Sequence, residues 1–194
     1  MNKQLNFKEI LTNAFAVGLK NFPSLIGAVV LWILTLWIPY VNVGTTVAIA
    51  TIPALLSRGE VINPLSIFDG KYRKFMGEYF LVTAFKGIIT SVAAIFLFIP
   101  AIVMKYTYMF STLLVIDKEM GASESLAESN KLTYGNKWAI FFAHLVLTIP
   151  FFIFSAISGV LGGIYLVLLM PFTYAANGYI YGVLTSEESE STPE

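Results

Sequence analysis

Three ionisable side chains, Lys86, Lys105 and His144, lie inside long apolar stretches of the sequence. A charged group among apolar residues is costly unless it is paired or hydrated, so each is a candidate for solute or proton binding. Lys86 lies about nine residues, roughly 14 Å of helix, beyond the start of an apolar run near Gly77. Glu78 precedes it by two helical turns on roughly the same face. We predict a hydrated polar groove around Lys86 and Glu78, with a Lys86 that is hydrogen-bonded in a packed core as the alternative.

Lys105 and His144 also have structural explanations. Lys105 follows Pro100 by about one turn, close to the predicted outer end of an apolar run, where a long Lys side chain can extend to the interface. His144 stands alone among Phe141, Phe142 and other apolar residues. A lone His in that setting predicts an interhelical hydrogen bond, and a proton relay is the alternative.

Other kinds of chemistry find no support in the sequence. The chain has no Cys and one His, which excludes disulfides and thiolate metal sites and argues against a catalytic metal centre. No nucleophile–base pair, phosphate-binding loop or carboxylate dyad has a usable spacing. No block of bases resembles a nucleic-acid-binding arm. We therefore predict a protein that is not an enzyme, needs no cofactor and has no nucleic-acid partner.

The composition indicates which elements position these residues. Hydrophobic residues make up 57% of the 194 residues and charged residues 12%, whereas a soluble domain has about 25% charged residues. That much apolar surface requires lipid as its solvent, which predicts an integral membrane protein. Ten of the twelve Lys and Arg residues, all except Lys86 and Lys105, lie at the N-terminus, in 58–74 or in 118–137. Because short cytoplasmic loops collect these bases, both chain ends and all three basic stretches are predicted to face the cytoplasm.

The apolar runs predict an all-α bundle of about six spans, arranged as three hairpins, within one membrane domain covering 1–185. About 20 apolar residues cross a bilayer. The predicted spans are 23–41, 43–57, 77–99, 101–116, 138–156 and 161–184. The spans 43–57 and 101–116 are short, and it stays open whether they cross fully or are re-entrant. Pro171 and Gly178 are expected to interrupt the sixth span.

An amphipathic, interfacial helix is predicted before each hairpin, near 6–22, 64–75 and 121–133. The residues from Glu9 to Phe22 align without a gap with those from Glu124 to Lys137, which suggests an internal repeat. The alternative is that any inner loop beside a hairpin becomes amphipathic. An acidic, disordered tail is predicted over 186–194.

Bases at the edges of the three interfacial helices suit contact with anionic head groups of the cytoplasmic leaflet. The predicted lipid-contact residues are Lys8, Lys20, Lys71, Arg73, Lys74, Lys131 and Lys137.

The stretch from Asp117 through Ser129 to Trp138 resembles the signature of a family of small, uncharacterised prokaryotic membrane proteins with six spans. That family is similar to the membrane domain fused to some glycerophosphodiester phosphodiesterases. The shared pattern is an acidic residue that ends a span, a helix with Ala and Leu, a Ser, and a Thr-x-Gly-x-x-Trp-like start of the next span. The resemblance implies the fold and a location in the prokaryotic cytoplasmic (inner) membrane. It implies no reaction, because the phosphodiesterase activity belongs to a separate soluble barrel.

Two functions stay open at this point. The first is a non-enzymatic accessory, scaffold or lipid-organising subunit, whose partners would be membrane lipids and either another membrane protein or further copies of the chain. The second is a small carrier or channel for an anionic solute or lipid, with a midplane site around Lys86.

Overall fold

A computed structural model describes residues 4–191, with side chains up to Ser186. Every regular element in that range is helical, so the predicted all-α class is confirmed. The helices are α1 (Phe7–Lys20), α2 (Phe22–Thr35), α3 (Val41–Ile49), α4 (Ile52–Ser57), α5 (Met76–Phe96), α6 (Phe98–Thr107), α7 (Ser111–Asp117), α8 (Ala122–Thr133), α9 (Lys137–Ile157) and α10 (Gly159–Ser191). Two 3₁₀ helices, Pro64–Phe68 and Gly70–Phe75, join α4 to α5. Of the predicted disordered tail, 186–194, residues 186–191 form the end of α10, and 192–194 lie outside the described residues.

Four helical stretches among the described residues are long and apolar enough to cross a membrane. They are Gly70–Phe96, Phe98–Asp117, Lys137–Ile157 and Gly159–Ser186. The bent pair α1 and α2, whose axes meet at 80°, would be a fifth if it formed one span. Four to five apolar helices are compatible with an integral membrane protein, but the predicted count of six spans and the arrangement as three hairpins are not confirmed.

Two of the predicted hairpins share the same turn. One extended residue separates α5 from α6 (Leu97, φ −164°, ψ 149°), and one separates α9 from α10 (Ser158, φ −161°, ψ 134°). In both turns the backbone N–H of this residue donates to the carbonyl oxygen four residues earlier, which completes the preceding helix. The single N–H between the two helices of each pair is therefore satisfied.

The junctions before α2 and α9 also match, as the predicted repeat requires. Asn21 (φ −101°, ψ 8°) and Asn136 (φ −109°, ψ −1°) have nearly the same backbone conformation, and both are buried. The Asn21 amide donates to the carbonyl of Val17, and Oδ1 of Asn136 accepts from the N–H of Leu5 at 2.7 Å. The alignment of these two segments therefore has a structural counterpart.

The segment 22–57 differs from the prediction of a simple hairpin. Cγ of Arg73 lies 3.7 Å from the position that a Cβ on Gly44 would occupy. If the predicted spans 23–41 and 43–57 both crossed the membrane, the connection between them near Gly44 would face away from the cytoplasmic basic stretch that contains Arg73. The two segments are in contact instead, so that part of the predicted topology is not confirmed.

The second half of α10 runs through the core. Its buried residues include Ala176, Ile180 and Tyr181. A Cβ on Gly178 would lie 2.8 Å from the carbonyl oxygen of Pro53, so the glycine lets α4 pack directly on α10. The prediction that Pro171 and Gly178 interrupt the last span is wrong, because α10 is continuous through both.

The interruption lies in the fourth predicted span, between α6 and α7, and residues of α8 satisfy the backbone groups that it frees. Oγ of Ser129 accepts from the N–H of Phe110 at 3.2 Å and donates to the carbonyl of Thr107 at 2.8 Å. The hydroxyl of Thr133 donates to the same carbonyl at 3.2 Å. Within an apolar region such groups would otherwise cost several kcal/mol each.

Candidate functional site: a charged cleft

The structure does not bring the predicted intramembrane residues together. Nζ of Lys86 donates to Oγ1 of Thr112 at 2.9 Å. Oε2 of Glu78 accepts from the backbone N–H of Ala122 at 2.8 Å and so caps the start of α8. Lys86 and Glu78 therefore have separate partners on separate elements.

Lys105 and His144 also have local contacts. Nζ of Lys105 lies 5.7 Å from the centre of the Tyr106 ring, a cation–π distance. The ring nitrogens of His144 bond to the carbonyl of Ile140 and to Oδ1 of Asn177, both at 2.9 Å. Because Asn177 lies on α10, this is the interhelical hydrogen bond that the sequence offered as the structural explanation.

Charged residues converge instead at a cleft between α4, the second 3₁₀ helix and the end of α7. The cleft has a volume of about 350 Å³, which lies within the usual range of ligand sites. Its lining combines bases, acids and a few apolar and hydroxyl side chains. The lining residues are Thr51, Leu55, Arg58, Lys71, Tyr72, Lys74, Phe75, Ile116, Asp117 and Glu119. We call this site the charged cleft.

Asp117 fixes one wall of the charged cleft. Its carboxylate accepts from Nη1 of Arg58 at 2.6 Å and from the hydroxyl of Tyr181 at 2.7 Å. The Asp117 side chain is 7% exposed, whereas that of Arg58 is half exposed and also contacts Glu60. The hydrogen bond to Asp117 is the main reason why the pKa of Arg58 is raised above its ordinary value. Arg58 is thus a fixed positive charge at the edge of the cleft.

Lys71 and Lys74 are held less tightly. Lys71 pairs with Asp69 at 3.1 Å and Lys74 with Glu119 at 2.6 Å, and all four side chains are well exposed. Both ammonium groups also lie over aromatic rings, of Tyr72 and Phe75 respectively. Exposed ion pairs contribute little, so an incoming anion could replace either carboxylate at small cost. The cleft therefore has one fixed base and two exchangeable bases.

The other predicted lipid-contact bases lie outside the charged cleft. Lys8 and Lys20 are exposed on α1. Arg73 borders a small cavity beside Gly44. Nζ of Lys131 pairs with Glu128 at 2.7 Å, and Nζ of Lys137 donates to Asn130 at 3.3 Å.

Sequence reasoning found Lys71 and Lys74 but not the pairing that organises the cleft. The sequence marks Arg58 only as part of a basic stretch and Asp117 only as an acidic residue that ends a span. The Asp117–Tyr181 contact joins residues 64 positions apart, and a single sequence carries no signal for such a pair.

Comparisons with known proteins found no match to this chain. No family model matches it, no curated protein matches it, and no solved structure matches its fold.

Proposed function

We propose that this chain is a non-enzymatic integral membrane protein that binds phosphate-bearing lipid head groups in the charged cleft. In this function it is an accessory, scaffold or lipid-organising subunit. The observation that carries the proposal is the convergence of Arg58, Lys71 and Lys74 on one cleft, with two of the three bases in exchangeable ion pairs. Lys and Arg near a membrane surface attract anionic head groups with about 1 kcal/mol per residue.

The proposal includes a placement in the membrane. Four helical stretches cross, the segment 22–57 is re-entrant, and the basic stretches and both chain ends face the cytoplasm. The contact between Gly44 and Arg73 supports a re-entrant segment, because it joins two regions that six full crossings would separate. The resemblance of residues 117–138 to a prokaryotic six-span family supports the cytoplasmic membrane of a prokaryote.

A protein partner or a second copy is compatible with this function. Val82 is the one buried residue of α5, so most of that helix faces outward. Lipid or another apolar helix would cover this surface, because so large an apolar surface is unfavourable in water.

The test is to isolate the protein in lipid-preserving particles and to quantify the lipids that co-purify. The double variant Lys71→Gln/Lys74→Gln removes the exchangeable bases. The matched control, Lys8→Gln/Lys118→Gln, removes two exposed bases outside the charged cleft. We expect the cleft variant to carry less anionic lipid than the parent protein and the control to retain the parent amount. Equal lipid content in all three proteins would refute head-group binding in the cleft.

A small carrier or channel for an anionic solute or lipid is the second candidate. Lys86 bonds to Thr112, which lies directly after the break between α6 and α7. Carriers commonly build midplane sites from such interrupted helices. Against it, Ser129 and Thr133 already satisfy the backbone at the break, and Glu78 bonds elsewhere.

Lys86→Met tests the carrier hypothesis, with Lys105→Met as the matched control. A carrier would lose anion flux into vesicles only in the first variant. If Lys86→Met changes neither flux nor stability, the site around Lys86 has no transport function.

A further inference from the structure

A second, apolar groove lies where the bend between α1 and α2 meets α9 and α10. Its volume is about 360 Å³, within the usual range of ligand sites. All of its lining side chains are aliphatic or aromatic. They are Phe15, Leu19, Phe22, Leu147, Tyr165, Leu168, Leu169 and Phe172. We call this site the apolar groove.

Close packing between α1 and α10 fixes the shape of the apolar groove. The ring of Phe172 contacts those of Phe15 and Phe22, with centroids 5.1 and 6.0 Å apart. A Cβ on Gly18 would lie 2.8 Å from Cδ1 of Phe172, so α1 approaches α10 as closely as a glycine allows. The turn at Asn21 then directs α2 away at 80°, which leaves the groove open beside the bend.

The apolar groove offers almost nothing to a polar ligand. Its one side-chain hydroxyl, that of Tyr165, donates to the carbonyl of Leu147 at 2.9 Å. Hydrocarbon is therefore the ligand chemistry that fits the lining, because a polar molecule would lose its hydrogen bonds to water without replacement.

The surroundings identify the source of that hydrocarbon. Phe15, Leu19 and Leu168, which line the groove, are 47%, 62% and 42% exposed, and the exposed apolar surface continues along α10 through Ile164. Lys20 directly follows Leu19 and is exposed, and none of the ion pairs between described side chains involves it. An exposed base that adjoins a groove-lining residue in the sequence complements a phospholipid, whose phosphate adjoins its acyl chains.

We propose that the apolar groove holds one acyl chain of a membrane phospholipid, with the lipid phosphate beside Lys20. The inference rests on the proposed function in one respect, that the protein lies in a bilayer. It does not depend on head-group binding in the charged cleft, since the two sites share no lining residue. The groove would hold a resident lipid against the α1–α2 bend, in contrast to the exchanging lipids around α5.

The test uses phosphatidylglycerol with a diazirine at the end of one acyl chain, in vesicles that also contain phosphatidylethanolamine. After irradiation, labelled residues are mapped by mass spectrometry. We expect labelling at Leu19 and Leu168 to exceed severalfold that at Val92 and Ile153, which are apolar, exposed and outside the groove.

Two matched pairs sharpen the test. Leu168→Trp fills the groove and should abolish the excess label at Leu19, while Ile164→Trp, on the same helix but outside the lining, should leave it intact. Lys20→Gln should weaken the preference for phosphatidylglycerol over phosphatidylethanolamine, whereas Lys8→Gln should not.

Two outcomes would overturn the inference. Uniform labelling of groove and control residues would mean that the groove contacts only bulk lipid. Crosslinking of Leu19 to a second copy of the chain would identify a dimer contact instead. Lys71→Gln/Lys74→Gln should leave groove labelling unchanged, so failure here is distinguishable from failure of the charged cleft.

Discussion

Nη1 of Arg58 lies 2.6 Å from Oδ1 of Asp117, although 59 positions separate the two residues in the sequence. The same carboxylate bonds to Tyr181, so one acidic group joins the end of α4, the end of α7 and the second half of α10. The ends of α4 and α7 line the charged cleft. The packing of these helices and the shape of the charged cleft therefore both depend on Asp117.

Arg58→Gln should lower the stability of the folded protein by about 1–3 kcal/mol, because it leaves the buried Asp117 carboxylate without its charged partner. The pKa of Arg58 is raised above its ordinary value, first by the hydrogen bond to Asp117, so the contribution of the charged guanidinium is present at physiological pH and is lost only at strongly alkaline pH, as the pH rises through the raised pKa. The thermal midpoint in lipid-preserving particles measures the effect. Glu60→Gln, which removes an exposed partner of Arg58, is the control. Equal midpoints for both variants would contradict this role of Asp117.

Asp69 should make the second 3₁₀ helix sensitive to acid. The pKa of Asp69 is lowered below 3.8, first by the backbone N–H of Lys71 and then by its ammonium group. The stabilisation is present above pH 3.8 and is lost as the pH falls through the lowered value of the folded protein. Asp69→Asn retains an oxygen that can accept from the N–H but cannot titrate.

Hydrogen exchange over residues 64–75 in a pH series measures this acid effect. Protection should fall at low pH in the parent protein and change less in Asp69→Asn. The same acid dependence in both proteins would assign the effect to another group.

Ser129→Ala should destabilise the break between α6 and α7 by about 1–3 kcal/mol, because the N–H of Phe110 would lose its buried partner. Ser123→Ala, at an exposed position of the same helix, should have almost no effect. Thermal unfolding of both variants gives the comparison. If Ser129→Ala is as stable as the control, water or a relaxed backbone must satisfy Phe110.

Gly178→Ala should cost about 1–3 kcal/mol, because the new methyl group would meet the backbone of Pro53 at 2.8 Å. Gly163→Ala is the matched control on the same helix, with nothing within 4 Å of the added atom. It should be neutral or stabilising by about 0.5–1 kcal/mol, because alanine favours helix. A lower midpoint of thermal unfolding for Gly178→Ala alone would confirm close α4–α10 packing, and equal midpoints for the two variants would argue against it.

Single cysteines can test the re-entrant segment directly, because the chain has no Cys of its own. Tyr40→Cys and Leu65→Cys place thiols at exposed positions. Both should react with an impermeant maleimide from the same side of sealed vesicles. Reaction of the two from opposite sides would restore the six-span topology.

Local patterns in the sequence predicted the features that depend on local physics. Helix type, the apolar runs behind the four long helical stretches and the matching junctions at Asn21 and Asn136 follow from composition, periodicity and alignment. The assignments that failed concerned helix continuity. Pro171 and Gly178 resemble helix breakers, yet α10 continues through both, and α4 packs against Gly178. The break between α6 and α7 carries no Pro or Gly between Lys105 and Ser111, so no local signal marks it.

The sequence alone therefore determined an all-α chain whose long apolar helices suit lipid, with bases concentrated in three stretches. Hydrophobic periodicity and local charge are properties of short segments, so neighbouring residues are enough to predict them. Only the tertiary structure decided which charges meet. Lys86 and Glu78 share a helix face but bond to α7 and α8, whereas Arg58 and Asp117 converge from distant segments. A hydrogen bond requires two groups within about 3 Å of each other. The packing of helices that are distant in the sequence sets that distance, and no local sequence pattern encodes it.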